Sequence, residues 1–116
     1  MFQVNVNVAH HAVAYMRAHH GGGIVNVSST AARKGMANEC IDYADSKAAI
    51  ETLGLADELA SEGIRVNAVR PGLIETGIHA KGGVPDRIAQ LARTTPLGRA
   101  GTPQEMAAAI LWLLSD

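Results

Sequence analysis

The sequence predicts an α/β fold built on parallel strands. Two short runs rich in β-branched residues, Ile24-Val25-Asn26-Val27-Ser28-Ser29 and Ile64-Arg65-Val66-Asn67-Ala68-Val69, read as buried strands. Helical spacing of apolar residues precedes, separates and follows them. Proline and glycine punctuate the joints. The resulting order is helix, strand, helix, strand, helix, helix, and residues 24–69 form one βαβ unit with a right-handed crossover expected.

Residues 2–20 read as the first helix, with Val4, Val8, Ala12, Tyr15 and Met16 at apolar positions. The alternation Val4-Val6-Val8 also suits a strand, but the alanines from Ala9 onward favour a helix. Gly21-Gly22-Gly23 is expected to end it. After the first strand, residues 30–41 read as a loop containing Gly35. Asp42 is placed as the cap of a helix over 43–62, which Gly63 terminates. Pro71-Gly72 stops the second strand. Residues 72–83 read as a loop with Gly77, Gly82 and Gly83 as hinges, and 85–93 as a short helix. Pro103 belongs to the first turn of a last helix running to about Leu114. Two parallel strands by themselves leave open edges. Residues 1–116 are therefore expected to be part of a larger domain, cut at both ends.

Hydrophobic residues make up 47% of the 116 and charged residues 18%, which excludes a disordered chain. Aromatics are 3%, so the core must come from Val, Ile, Leu, Ala and Met. A formal net charge of −1 gives no basic field for nucleic acid or an anionic membrane. Cys40, the single cysteine, fits a reducing compartment such as the cytoplasm. No apolar stretch approaches a membrane span, and the N-terminus does not read as a secretory signal.

Chemistry concentrates at Tyr43-Ala44-Asp45-Ser46-Lys47. Residues four apart share a helix face, so the phenol and the ammonium converge. A cation held beside a phenol favours its phenolate and makes it a usable acid or base. By itself such a pair is common on helices. Its context is specific: a strand ending in Ser28-Ser29 before it, and Val66-Asn67-Ala68-Val69-Arg70-Pro71-Gly72-Leu73-Ile74-Glu75-Thr76 after it. Both strand ends lie where open parallel sheets bind ligands.

These motifs, together with Val4-Asn5-Val6 in the first helix, resemble the C-terminal half of the short-chain dehydrogenase/reductase family. The resemblance runs from Asn5 to the last helix. It implies the C-terminal part of a Rossmann-like doubly wound sheet and hydride exchange between NAD or NADP and an alcohol or carbonyl substrate. Under it Tyr43 is the general acid/base, and Lys47 lowers its pKa and binds the nicotinamide ribose. Ser29 polarises the carbonyl, with Thr30 in reserve because Ser29 to Tyr43 is fourteen positions, one longer than in many members. Asn5 holds a water in a proton relay; three residues on, Val8 stands where glycine is frequent. Pro71, Gly72, Ile74 and Thr76 line the nicotinamide. Homodimers or homotetramers of the full-length protein are implied as well. The Gly-rich strand–turn–helix that holds the pyrophosphate is not in this sequence, and Gly21-Gly22-Gly23 has the wrong surroundings to replace it. Residues 1–116 are thus expected to be a partial NAD(P)-binding domain that carries the catalytic residues but not the N-terminal cofactor-binding half or the last strand. The alternative is a non-catalytic fragment that serves only for packing or oligomerisation.

Other features read more plainly. His10-His11 and His19-His20 suit solvated or interface positions, and no metal site is expected. His79 reads as a loop residue that can also touch substrate. Cys40 reads as packing rather than a nucleophile. Ala44, Ala48, Ala49 and Ala56 suit a core or close helix contact, Trp112 the core or an interface, and Asp57, Glu58 and Glu62 a solvated face.

Overall fold

The computed structural model describes residues 2–34, 41–51 and 55–115. It contains two compact units, Met1–Arg70 with Leu113–Asp116 and Pro71–Trp112. In the first, β1 (Gly22–Val27) and β2 (Ile64–Val69) pair in parallel, in register from Gly22 opposite Ile64 to Val27 opposite Val69. Two further backbone bonds extend the ladder: Gly22 N–H to Gly63 O at 3.3 Å, and Ser28 N–H to Val69 O at 2.8 Å. The α/β class and the neighbouring of the two runs are as predicted.

Helix α1 (Phe2–Ala18) precedes β1, so the helical reading of Val4-Val6-Val8 holds. The glycine run does not simply end this helix. His20 turns the chain with φ +62° and Gly21 with φ +137°, while Gly22 and Gly23 already belong to β1. A Cβ on Gly21 would stand 3.0 Å from the Gly63 carbonyl oxygen. Glycine is what lets the two strands start side by side. Gly63 itself, at φ +73°, ends the preceding turn in the left-handed region.

Short helix α2 (Ala31–Lys34) occupies the start of the expected 30–41 loop. Helix α3 (Ile41–Glu51) begins before Asp42, which lies in its first turn rather than capping it. Its expected continuation to residue 62 comprises α4 (Leu55–Leu59) and a 3₁₀ turn, Ala60–Glu62. Residues 52–54 lie outside the described residues, as do Gly35 and Cys40. The core of this unit is Val13, Leu59 and Ile64, with Met16, Ile24, Leu55 and Val66 packed on it. It is aliphatic and sulfur-containing, as the scarcity of aromatics requires. Arg65, on β2, donates to the carbonyls of Leu113 at 2.7 Å, Leu114 at 3.1 Å and Ser115 at 2.9 Å. That satisfies carbonyls which a helix end leaves without intrahelical partners.

In the second unit, α5 (Ile78–Lys81) interrupts the expected 72–83 loop, and the expected 85–93 helix is present as α6 (Arg87–Ala92). Ile74 bridges to Gly101: Gly101 N–H donates to Leu73 O at 2.9 Å, and Glu75 N–H to Gly101 O at 2.8 Å. Helix α7 (Pro103–Leu114) opens with a reciprocal cap. Glu105 N–H donates to Thr102 Oγ1 at 3.2 Å, and Thr102 N–H to Glu105 Oε2 at 2.8 Å. Pro103 sits at the position where its missing N–H costs nothing. Trp112 is 76% exposed, so it is not a core residue of this chain.

Arg99, which clasps Glu105 at 3.0 and 2.6 Å, and then the Thr102 N–H hold the Glu105 carboxyl down at about 2 from 4.5. A carboxylate depressed on folding stabilises above its unfolded pKa and loses that contribution as pH falls through its folded one. Between about pH 5 and 2, Glu105→Gln should therefore show a thermal midpoint that falls less steeply than the parent's. Parallel acid curves for the two proteins would contradict this cap.

Candidate active site

Tyr43, Lys47 and Glu51 recur every four residues along one face of α3. Lys47 Nζ lies 5.8 Å from the centroid of the Tyr43 ring. The same Nζ donates to Val27 O, the last carbonyl of β1, at 2.7 Å. Lys47 Nζ thus lies near the Tyr43 ring and reaches the C-terminal end of a parallel strand. Burial pushes the Lys47 ammonium below its ordinary range. The Val27 carbonyl offsets part of that desolvation.

Ser28 and Ser29 part company at the strand end. Ser28 is 3% exposed. Its hydroxyl proton lies between two acceptors on α3, the Lys47 carbonyl at 3.1 Å and Glu51 Oε1 at a still closer approach. Ser29 is half-buried, and its Oγ accepts the Ala31 N–H at 3.2 Å, opening α2. That bond uses Ser29 as an acceptor and does not consume its O–H. Thr30 is half-buried too, and its carbonyl accepts the Arg33 N–H at 3.2 Å. Asn5 is half-buried on α1, which packs on α3.

Glu51 was not among the sequence-based candidates. Arg70 Nε donates to its Oε1 at 2.8 Å, and Arg70 Nη2 approaches Oε2 still more closely. Arg70 first and Ser28 second hold the Glu51 carboxyl down at about 2 from 4.5. The signal was available: Glu51 continues the spacing of Tyr43 and Lys47. Asn26 was also passed over. It shares a β1 face with Ser28, and its Nδ2 donates to Ile50 O at 3.3 Å.

The cofactor-lining candidates Pro71, Gly72, Ile74 and Thr76 belong to the second unit. There Ile74 is held by its bridge to Gly101, and Thr76 Oγ1 accepts the Ile78 N–H at 3.4 Å. His10 and His11 are exposed on α1, ring edge to face at 5.9 Å. His19 stacks on Tyr15 at 4.0 Å. Among the described residues, no group of three or more histidine, cysteine or acidic side chains gathers where it could hold a metal ion.

The family model described as enoyl-(acyl carrier protein) reductase matches residues 2–116. The chain belongs to the short-chain dehydrogenase/reductase family. It is 55% identical over 98 residues to an uncharacterized oxidoreductase, YgfF, of Escherichia coli strain K12, covering 83% of this chain and 40% of that protein. It is 50% identical over 99 residues to carbonyl reductase family member 4 of Danio rerio, covering 84% and 40%. A short-chain dehydrogenase/reductase of unknown function from Caenorhabditis elegans, solved with cofactor, superposes with a TM-score of 0.84 at 36% identity, covering 97% of this chain and 45% of that one. The chain thus spans about 40% of the length of these curated relatives. Members of the family are NAD(P)-dependent oxidoreductases, and this short-chain dehydrogenase/reductase chain shares their Rossmann-type architecture.

Proposed function

We propose that the protein carrying this chain reduces a ketone or aldehyde with NAD(P)H, reversibly, with Tyr43 as the proton donor. The observation that carries this is the placement of Lys47 Nζ, 5.8 Å from the Tyr43 ring and 2.7 Å from Val27 O. It sets a cation and a phenol together at the mouth of a parallel strand, where such sheets take their ligands. An ammonium has three N–H donors, one of which goes to Val27 O. That donor set suits the hydroxyls of a ribose, so Lys47 would hold the nucleotide there. When bound, NAD(P)H supplies the hydride to the carbonyl carbon. Tyr43 Oη gives its proton to the carbonyl oxygen, which leaves as the alcohol. Ser29 donates its O–H to that oxygen and polarises the bond. Asn5 orders the water that returns a proton to Tyr43. Pro71, Gly72, Ile74 and Thr76 line the nicotinamide side. Membership of the family and the likeness to a carbonyl reductase support the reading.

In this reading residues 1–116 form the catalytic half of a dinucleotide-binding domain. The enzyme works in the cytoplasm as a homodimer or homotetramer. The exposed Val4, Val8 and Tyr15 on α1 support self-association.

The register of the polarising hydroxyl has its own test. Ser29→Ala should cost the enzyme about 10²-fold or more in kcat, and Thr30→Ala much less. The reverse order of damage, measured by steady-state carbonyl reduction, would move the role to Thr30.

A further inference from the structure

We propose that Ser28, Glu51 and Arg70 are positioning residues that set the placement of Lys47 beside Tyr43. The inference rests on the reading of Tyr43 and Lys47 given above and assigns the groups that hold them. Lys47 is gripped at both ends of its own residue. Its Nζ takes Val27 O at 2.7 Å, and its backbone carbonyl takes the Ser28 hydroxyl at 3.1 Å. Both partners come from consecutive residues at the end of β1. The catalytic turn of α3 is thus pinned to one strand terminus by main chain and side chain together.

Ser28 cannot set this geometry unaided, because one hydroxyl rotor with one proton has several acceptable orientations. Glu51 removes that freedom. Its Oε1 shares the single Ser28 proton with the Lys47 carbonyl, which keeps the hydroxyl turned toward α3, and the same oxygen accepts Arg70 Nε at 2.8 Å. Arg70 follows directly on β2 and binds both carboxylate oxygens, the two-point geometry that a guanidinium fork favours. The ends of β1 and β2 are therefore tied to the same turn of α3. Ser28 is 3% exposed, so a broken link there leaves polar atoms that water cannot easily rescue. Small displacements of catalytic groups cost rate steeply, whereas a tie serving only stability would cost folded protein.

The test uses the full enzyme and compares Glu51→Gln, Arg70→Lys and Arg70→Ala with the parent, with Tyr43→Phe as reference. Glu51→Gln keeps size and an acceptor for Ser28 but loses the charge for Arg70. Expected per folded molecule is an about 10-fold or greater fall in kcat, with KM for cofactor and carbonyl substrate changed about twofold or less. The pH at which kcat titrates should rise in Arg70→Ala, where a cation is lost together with the tie. Arg70→Lys should recover part of both effects. Variants with a lowered Tm but parental kcat and pH profile would overturn the proposal and leave a structural tie. If Tyr43→Phe itself retained parental kcat, the reading of Tyr43 would fall and the proposal with it; if only the Glu51 and Arg70 variants did so, the proposal alone would fall.

Discussion

Replacing Tyr43 by phenylalanine is expected to lower kcat for carbonyl reduction by about 10²–10⁴-fold in the enzyme that contains this chain. Carbonyl reduction needs a proton at the developing alkoxide. Phenylalanine keeps the ring that Lys47 Nζ faces at 5.8 Å but removes the hydroxyl, which carries the side chain's one transferable proton. The stacking volume, the Lys47 bond to Val27 O and the grip of Ser28 on α3 all persist. Cofactor affinity should accordingly change little, and the loss should appear in kcat rather than in the dissociation constant of NAD(P)H. Steady-state kinetics with a small aldehyde, together with nicotinamide-fluorescence titration, separates the two. A Tyr43→Phe enzyme with parental kcat would remove the proton donor from the mechanism.

Local signals were legible where one residue type has one structural use. The β-branched runs placed both strands, and Pro103 marked the start of α7. The Tyr43–Lys47 spacing gave the pair its shared face. What stayed hidden depended on tertiary partners. Gly22 and Gly23 look like a helix stop, yet parallel pairing with Ile64 and Arg65 draws them into β1. Ser28 and Ser29 are adjacent and chemically alike. Strand alternation sends one hydroxyl against α3, while the end of the strand leaves the other to open α2. Glu51 reads as one more surface acid until β2 brings Arg70 against it. Trp112 reads as core or interface from its helical spacing, and its 76% exposure removes the first of these, because its environment depends on surfaces that local spacing does not report.

Truncating Leu59 to alanine should destabilise the first unit by about 2–5 kcal/mol. Leu59 is 0% exposed and Ile64 beside it 1%, the most deeply buried large side chains among the described residues. They meet Val13 of α1, so one contact set joins α1, α4 and β2. Removing three side-chain carbons there leaves a void bounded on three sides by different elements. The neighbours cannot close it without moving a helix or the strand. Gly63, four residues on, further limits relaxation, because its left-handed turn fixes where β2 starts. The catalytic turn should feel this only indirectly, since α3 is held to the strand ends by Asn26, Ser28 and Arg70. Urea unfolding of Leu59→Ala should therefore show a lower midpoint with an unchanged slope, and kcat per folded molecule close to the parent's. A destabilisation below about 1 kcal/mol would mean that the cluster collapses around the gap and that Leu59 is not the centre of this core.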